Sequence, residues 1–408
     1  SQFSLSFLED SEIFNAIMGS GILGLAFAMS NTGIILFLIL LLSIAILSAY
    51  SIHLLLKSAG VVGIRAYEQL GNRAFGAPGK MLAIDCFHLL LAMSSYLFIV
   101  KSELPLVIQS FLGKYENTGE WFLNGNYLIM IVSVLIILPL AMMKQLGYLG
   151  YTSGFSLSCM VFFLISVIYK KFNIPCPLVD VNHNMTHTAH YHTATNGTDD
   201  FCKAKLFTTN SQTAYTIPIL AFAFVCHPEV LPIYTELRDA TKKRMQAVAN
   251  ISILAMFVMY LLTALFGYLT FYDAVESELL HTYSRVDPLD VLVLCVRLAV
   301  LVAVTLTVPV VLFPILFPAK PFNWLVHITI ACCLIFVVNL LVIFVPSIRD
   351  IFGLIGATSA PSLIFILPGT FYVRIVPEDK EPFLSRPKIQ VQLSSSSYQG
   401  HFEFNLVI

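Results

Sequence analysis

The chain has 408 residues, 57% of them hydrophobic and only 12% charged, against roughly 25% charged in an ordinary soluble domain. That composition, with a mean hydropathy of +0.82, excludes a soluble enzyme, and 23 basic against 24 acidic residues leave a net charge of −1, too little to build a basic field for nucleic acid. Apolar runs of about 20 residues recur along nearly the whole length, each long enough to cross a bilayer core. The expected organisation is one all-α polytopic membrane domain over residues 1–376 and a polar tail over 377–408.

Breaks rich in polar residues, Gly and Pro divide the chain into about ten expected spans: 11–29, 32–57, 80–101, 127–143, 151–170, 212–238, 245–272, 289–313, 323–345 and 350–373. The first lacks a basic leader and a small-residue cleavage site, so it reads as a helix and not as a secretory peptide. It carries Gly19, Ser20, Gly21 and Gly24 in its middle. Such glycines serve either as a small-residue packing face or as a local unwinding that frees backbone groups for a ligand. In the third span Asp85 and His88 share a helical face, either as a proton relay or as solvated residues near the membrane boundary, the reading favoured here.

The polar stretch between about 171 and 211 holds the sequons at Asn184 and Asn196 and is bracketed by Cys176 and Cys202. Glycans and a disulfide both require the non-cytosolic side. The other six cysteines (Cys86, Cys159, Cys226, Cys295, Cys332, Cys333) lie in apolar runs, where Cys acts as a small buried hydrophobe. With this loop outside, five preceding spans put the N-terminus in the cytosol, and Lys57, Arg65, Arg73, Lys80, Arg238, Lys242, Lys243 and Arg244 fall inside, as the positive-inside rule expects. The sequon at Asn250 then lies on the cytosolic side and should be silent. The loop histidines His183, His187, His190 and His192 sit in a polar tract without helical register and read as solvated; no metal or cofactor site is expected.

The sixth span contains Pro218, Pro228 and Pro232, with His227 and Glu229 at depth beside Cys226. Proline can simply bend a membrane helix. As first members of two successive sets of five, however, interrupted spans one and six suit an inverted five-plus-five repeat whose broken helices meet at a midplane substrate site. Amides at Gly19–Ser20–Gly21 would then hold a substrate carboxylate, and carbonyls near Cys226–His227 its ammonium. In the eighth span Thr305 and Thr307 precede Pro309; each hydroxyl either back-bonds its own helix or supplies a neutral oxygen for sodium, together with Asn15 and freed carbonyls near Ala16 and Met18. Arg297, two turns inside the same span, reads as either a pathway or a structural cation.

The motifs NAIMGSGILGLAFAM, AMSSYLFIVKSELP, LGYLGYTSG, FVCHPEVLPIY and VESELLHTYS followed by RLAVLVAVTLTVPVV, over roughly residues 10–375, resemble the sodium-coupled neutral amino acid transporter family, chiefly its system A branch. The resemblance implies a LeuT-like fold of the amino acid/polyamine superfamily in the plasma membrane. It implies symport of sodium with alanine, serine, proline, glutamine and similar small neutral amino acids, with the lipid bilayer as the only other partner. It also matches Asn15 and Thr307 to the family's sodium-site residues and Cys176 and Cys202 to its loop disulfide. Three features depart from the family pattern: a nearly absent N-terminal tail, no run after Arg374 long enough for an eleventh helix, and IDCFHLLLAMSSY in place of a more amide- and glycine-rich third span. A C-terminus without that helix is expected in the cytosol, which places His401 on the wrong side for extracellular pH sensing. It motivates an alternative reading, a non-transporting amino-acid sensor or regulatory splice variant.

Overall fold

The computed structural model describes residues 20–84, 86–113, 120–142, 147–174, 202–237, 240–286, 290–316, 324–345 and 347–377. Asn15, Ala16, Met18, Gly19, Asp85, Cys176, Asn184, Asn196, the loop histidines and the tail beyond 377 lie outside them, as does the side chain of His88. Every regular element among the described residues is helical, and seven helices are long and apolar enough to cross a membrane.

After a 3-10 turn at Ser20–Gly24 the order is α1 (Leu25–Ser30), α2 (Ile34–Val62), α3 (Tyr67–Ile84), α4 (Cys86–Phe111), α5 (Gly125–Ala141), α6 (Gly147–Asn173), α7 (Thr216–Ala223), α8 (His227–Glu236), α9 (Lys242–Phe271), α10 (Leu279–Val286), α11 (Val291–Leu316), α12 (Trp324–Phe344) and α13 (Ile348–Ile375). Helix α11 packs on α6 and α4, α9 on α1, α2 and α6, and α13 on α7 and α2. The turn at Ser20–Gly24, α1, α7 and the first turn of α8 are buried almost throughout.

The perimeter has the opposite character. Ile39, Leu42 and Ile46 on α2, Val134 and Leu135 on α5, and Leu325 and Phe336 on α12 are exposed, a band of large apolar side chains that only lipid accommodates. Irregular backbone inside this body is met by side chains. The π-turn Ser362–Ile366 within α13 receives the Tyr67 hydroxyl on the Leu363 carbonyl at 3.1 Å and the Ser51 hydroxyl on the Ile364 carbonyl.

Two boundaries differ from the sequence reading. The third span runs as α4 to Phe111, ten residues past the expected end at 101, and Pro105 lies inside it. Lys101 and Glu103 do not end the helix because both are partnered: the Lys101 ammonium donates to the Val342 carbonyl at 2.8 Å, and the Glu103 carboxylate pairs with Arg297. The connections are also less empty than expected, with α3 opening at Tyr67 and α10 lying between α9 and α11.

The described end of the polar loop is clamped to the α1–α2 turn. Carbonyls of Lys205 and Leu206 accept the amides of Ile34 and Ile35, which would otherwise be orphaned in the first turn of α2, and the Thr208 amide donates to the Thr32 carbonyl at 2.9 Å. Gly33 sits in the middle at φ 78° and ψ 167°, a region essentially closed to other residues, and a Cβ there would lie 2.6 Å from the Leu206 carbonyl oxygen. Gly33→Ala should therefore destabilise the fold by on the order of 1–3 kcal/mol. A lowered thermal-unfolding midpoint in detergent checks this; an unchanged midpoint would mean that the clamp is dispensable.

Candidate functional site

The turn before α1 meets the end of α7. Gly21, in the 3-10 turn before α1, packs on the end of α7 so closely that a Cβ would stand 2.9 Å from the Ala223 Cα and 3.0 Å from its Cβ. Ser20 beside it is buried, and its hydroxyl lies 2.7 Å from that of Ser95 on α4. Because Ser95 donates its own proton to the Ala92 carbonyl, Ser20 is the donor of this pair.

On the facing side α7 stops at Ala223 and α8 starts at His227. Phe224 and Cys226 have non-helical dihedrals, and Pro228 in the first turn of α8 forgoes an amide that had no helical acceptor anyway. The Ala223 carbonyl accepts the Tyr260 hydroxyl of α9 at 2.8 Å, and the Cys226 carbonyl accepts the amides of Glu229 and Val230. No described hydrogen bond reaches the carbonyls of Phe224 and Val225. These two carbonyls lie one and two residues before Cys226, within the stretch near Cys226–His227 named from sequence.

Beside the gap between α7 and α8, His227 and Glu229 are buried; the His227 ring lies against the Ser48 backbone of α2, and among the described residues Oε2 of Glu229 and the Ser48 hydroxyl have no hydrogen-bond partner. Buried polar atoms gathered at this gap suit polar occupants.

In the eighth span both threonines donate to their own helix, Thr305 to the Leu301 carbonyl at 2.7 Å and Thr307 to the Ala303 carbonyl at 2.8 Å. Thr307 is buried, whereas Thr305 is half-buried. Donation uses only the hydroxyl proton and leaves the oxygen lone pairs of Thr307 available to a cation. Ser156 of α6 also points its hydroxyl at the Ala303 carbonyl, at 3.3 Å, which brings a further neutral oxygen close to Thr307.

Arg297 is a structural cation in this conformation. It is 2% exposed, its Nε lies 3.2 Å from Oε2 of Glu103 on α4, and its Nη2 donates to the Leu280 carbonyl of α10 at 3.3 Å. Sequence reasoning missed Glu103, Tyr260, Ser95 and Ser156. A lone carboxylate in an otherwise apolar helix was the one available signal, since Glu103 cannot stay ionised in lipid without a partner.

Outside the membrane-spanning segments the charges are paired conventionally. Burial pushes the Asp290 carboxyl up, but hydrogen bonds from Lys170 and the Val293 amide outweigh it and hold it below the usual carboxylate range. Burial likewise pushes the Glu276 carboxyl up, but hydrogen bonds from His281 and then Arg285 overcome that rise and leave it below its ordinary value.

An apolar perimeter and a buried interior where the Ser20–Gly24 turn faces the gap between α7 and α8 suit a membrane carrier, whose work is binding and movement and not bond chemistry. Residues 11–393 match the family described as transmembrane amino acid transporter protein. The proteins similar to this chain include sodium-coupled neutral amino acid transporter 4 of Homo sapiens, 56% identical over 430 residues that cover 92% of this chain and 78% of that protein. The Rattus norvegicus protein of the same name is 56% identical over the same shares, and the Mus musculus one is 56% identical over 90% of this chain and 77% of its own length. The chain belongs to the transmembrane amino acid transporter family.

Gly21→Val should separate the two breaks, because the atoms it meets are backbone and cannot swing aside. A displacement of that kind lowers uptake by about 100-fold. Surface biotinylation alongside uptake separates loss of transport from loss of protein, and full uptake at normal surface abundance would remove this contact from the transport path.

Proposed function

We propose that this chain is a sodium-coupled symporter of small neutral amino acids, of the alanine, serine, proline and glutamine class, working by alternating access in the plasma membrane. The observation that carries the reading is the contact of the interrupted helices at Gly21 and Ala223, beside carbonyls that lack partners. The names of the similar proteins support sodium coupling and neutral substrates. In this reading the fold is a LeuT-like five-plus-five repeat of about ten spans with the first and sixth broken. The substrate carboxylate lies on amides at Gly19, Ser20 and Gly21, and its ammonium on carbonyls at the break before Cys226 and His227. The whole transporter unit runs over 1–376 with both ends in the cytosol.

Sodium is cargo, held by Asn15, carbonyls near Ala16 and Met18, and the Thr307 hydroxyl. Neutral oxygens suit an ion that must also be released, since a carboxylate would hold it too tightly for turnover. By linkage the amino acid must raise sodium affinity by the same factor as sodium raises its own. Uptake of radiolabelled alanine and glutamine with and without sodium tests the function. Substrate binding without uptake would establish the sensor reading instead. Thr307→Ala should raise the sodium concentration for half-maximal uptake at normal surface abundance, with a smaller effect from Thr305→Ala; an unchanged sodium dependence would leave the Thr307 hydroxyl only its bond to Ala303.

The orientation rests on the loop bracketed by Cys176 and Cys202, proposed here to be joined and external. Its support is that Cys159, Cys226, Cys295, Cys332 and Cys333 are free. Asn184 and Asn196 should carry glycans and Asn250 none. Deglycosylation shifts in single Asn→Gln variants decide this, and modification of Asn250 would invert the topology.

A further inference from the structure

Three elements bring charge to one buried point. Glu103 of α4 is 0% exposed, Arg297 of α11 2%, and Glu278, in the segment leading into α10, 4%. Arg297 pairs with Glu103 at 3.2 Å, the Ser102 hydroxyl donates to Oε2 of Glu278 at 3.1 Å, and the two carboxyl groups lie within hydrogen-bond reach of each other. Both oxygens of Glu103 and Oε1 of Glu278 nevertheless have no donor.

One guanidinium cannot balance two carboxylates. Among the described residues, the charged groups of the surrounding elements are committed elsewhere. On α10, Arg285 pairs with Glu276, and His281, bonded to Glu276, also lies close enough to act on Glu103; on α4, Lys101 donates to the Val342 carbonyl; Lys170 of α6 pairs with Asp290, and Arg349 of α13 bonds Gln212. Leaving a net buried negative charge would cost several kcal/mol, on the order of a broken buried ion pair. Two ionised carboxylates are also both acceptors and cannot bond each other, whereas one added proton makes one of them a donor.

We propose that Glu103 and Glu278 form a proton-binding site, holding one proton between them while the α10 segment is docked and releasing it when that segment withdraws. Glu278 travels with the connection between α9 and α11, whereas Glu103 and Arg297 stay behind as a neutral pair on packed helices. Burial first, and the neighbouring Glu103 carboxylate second, hold the Glu278 carboxyl well above the usual carboxylate range while docked. An open cavity of about 410 Å³ is lined by Ser102, which bonds Glu278, and by His281, while the three charged groups themselves stay buried behind it. The sign follows from that raised value. Below the ordinary carboxylate range Glu278 is protonated docked or free, and pH does not matter. Above it, docking must take up a proton, so the docked state weakens as pH rises toward the raised value. The site is independent of which amino acid or ion is carried.

Hydrogen–deuterium exchange of the Leu279–Val286 amides in the purified full chain tests it, in detergent so that sidedness does not enter. Each rate is divided by the intrinsic exchange rate at the same pH. Protection of α10 should fall between about pH 5.5 and 8.5, by up to tenfold per pH unit for one proton, while the Thr216–Ala223 amides stay constant. Glu278→Gln, a permanent donor, should keep protection high across the range. Glu103→Gln, which frees Arg297 to pair with ionised Glu278, should also abolish the fall and serves if the first variant does not fold. His281→Asn should leave the fall intact, which separates the carboxyl pair from the histidine next to it. Protection independent of pH in the unmodified chain, a fall that survives in both Gln variants, or its loss in His281→Asn would overturn the proposal.

Discussion

Backbone groups that lose their helical partner inside a membrane must find another, and this constraint governs the molecule. The described backbone is irregular at Ser20–Gly24, a 3-10 turn, and again between Ala223 and His227, and the two segments are placed against each other, away from lipid. Gly21 permits that contact because any larger residue would meet the backbone of Ala223. Tyr260 takes the first freed carbonyl, and those of Phe224 and Val225 stay open in the protein interior. A carrier needs such a place, where strong directional groups are held ready without water.

The same logic explains the charged residues at depth. Arg297 and Glu103 neutralise each other between α11 and α4, and this lets α4 continue through Lys101 and Glu103 with no break. Where neutralisation is incomplete, the surplus is informative. Among the described residues Oε2 of Glu229 and the Ser48 hydroxyl lie unpartnered beside the gap between α7 and α8, and Glu278 adds a second carboxylate to a single guanidinium. In a lipid-surrounded core, groups left in this condition indicate what passes through or binds.

Packing ties the irregular segments to the long helices. The polar loop returns across the α1–α2 turn, donates its Lys205 amide to the Tyr268 hydroxyl at the end of α9, and caps α2 with two carbonyls. The α10 segment lies over the ends of α4 and α11 through Glu278 and Leu280. Both connections reach the end of α9.

The amino-acid sequence by itself determined the all-helical membrane class, most of the spans, and the interruption of the sixth. Those properties follow from run length, and from Gly and Pro chemistry, which act locally. The resemblance in its motifs identified the family. Only the tertiary structure decided that the Ser20–Gly24 turn touches α7 at Gly21 and Ala223, that the Cys226 carbonyl is taken by the Glu229 and Val230 amides, and that Thr307 spends its proton on Ala303. Only there, too, did Glu103, Glu278 and Arg297 become one cluster. Their partners lie far apart along the chain, and a charge in an apolar run carries no mark of which distant residue will neutralise it. Burial and pairing are properties of the packed helices, and no local pattern encodes them.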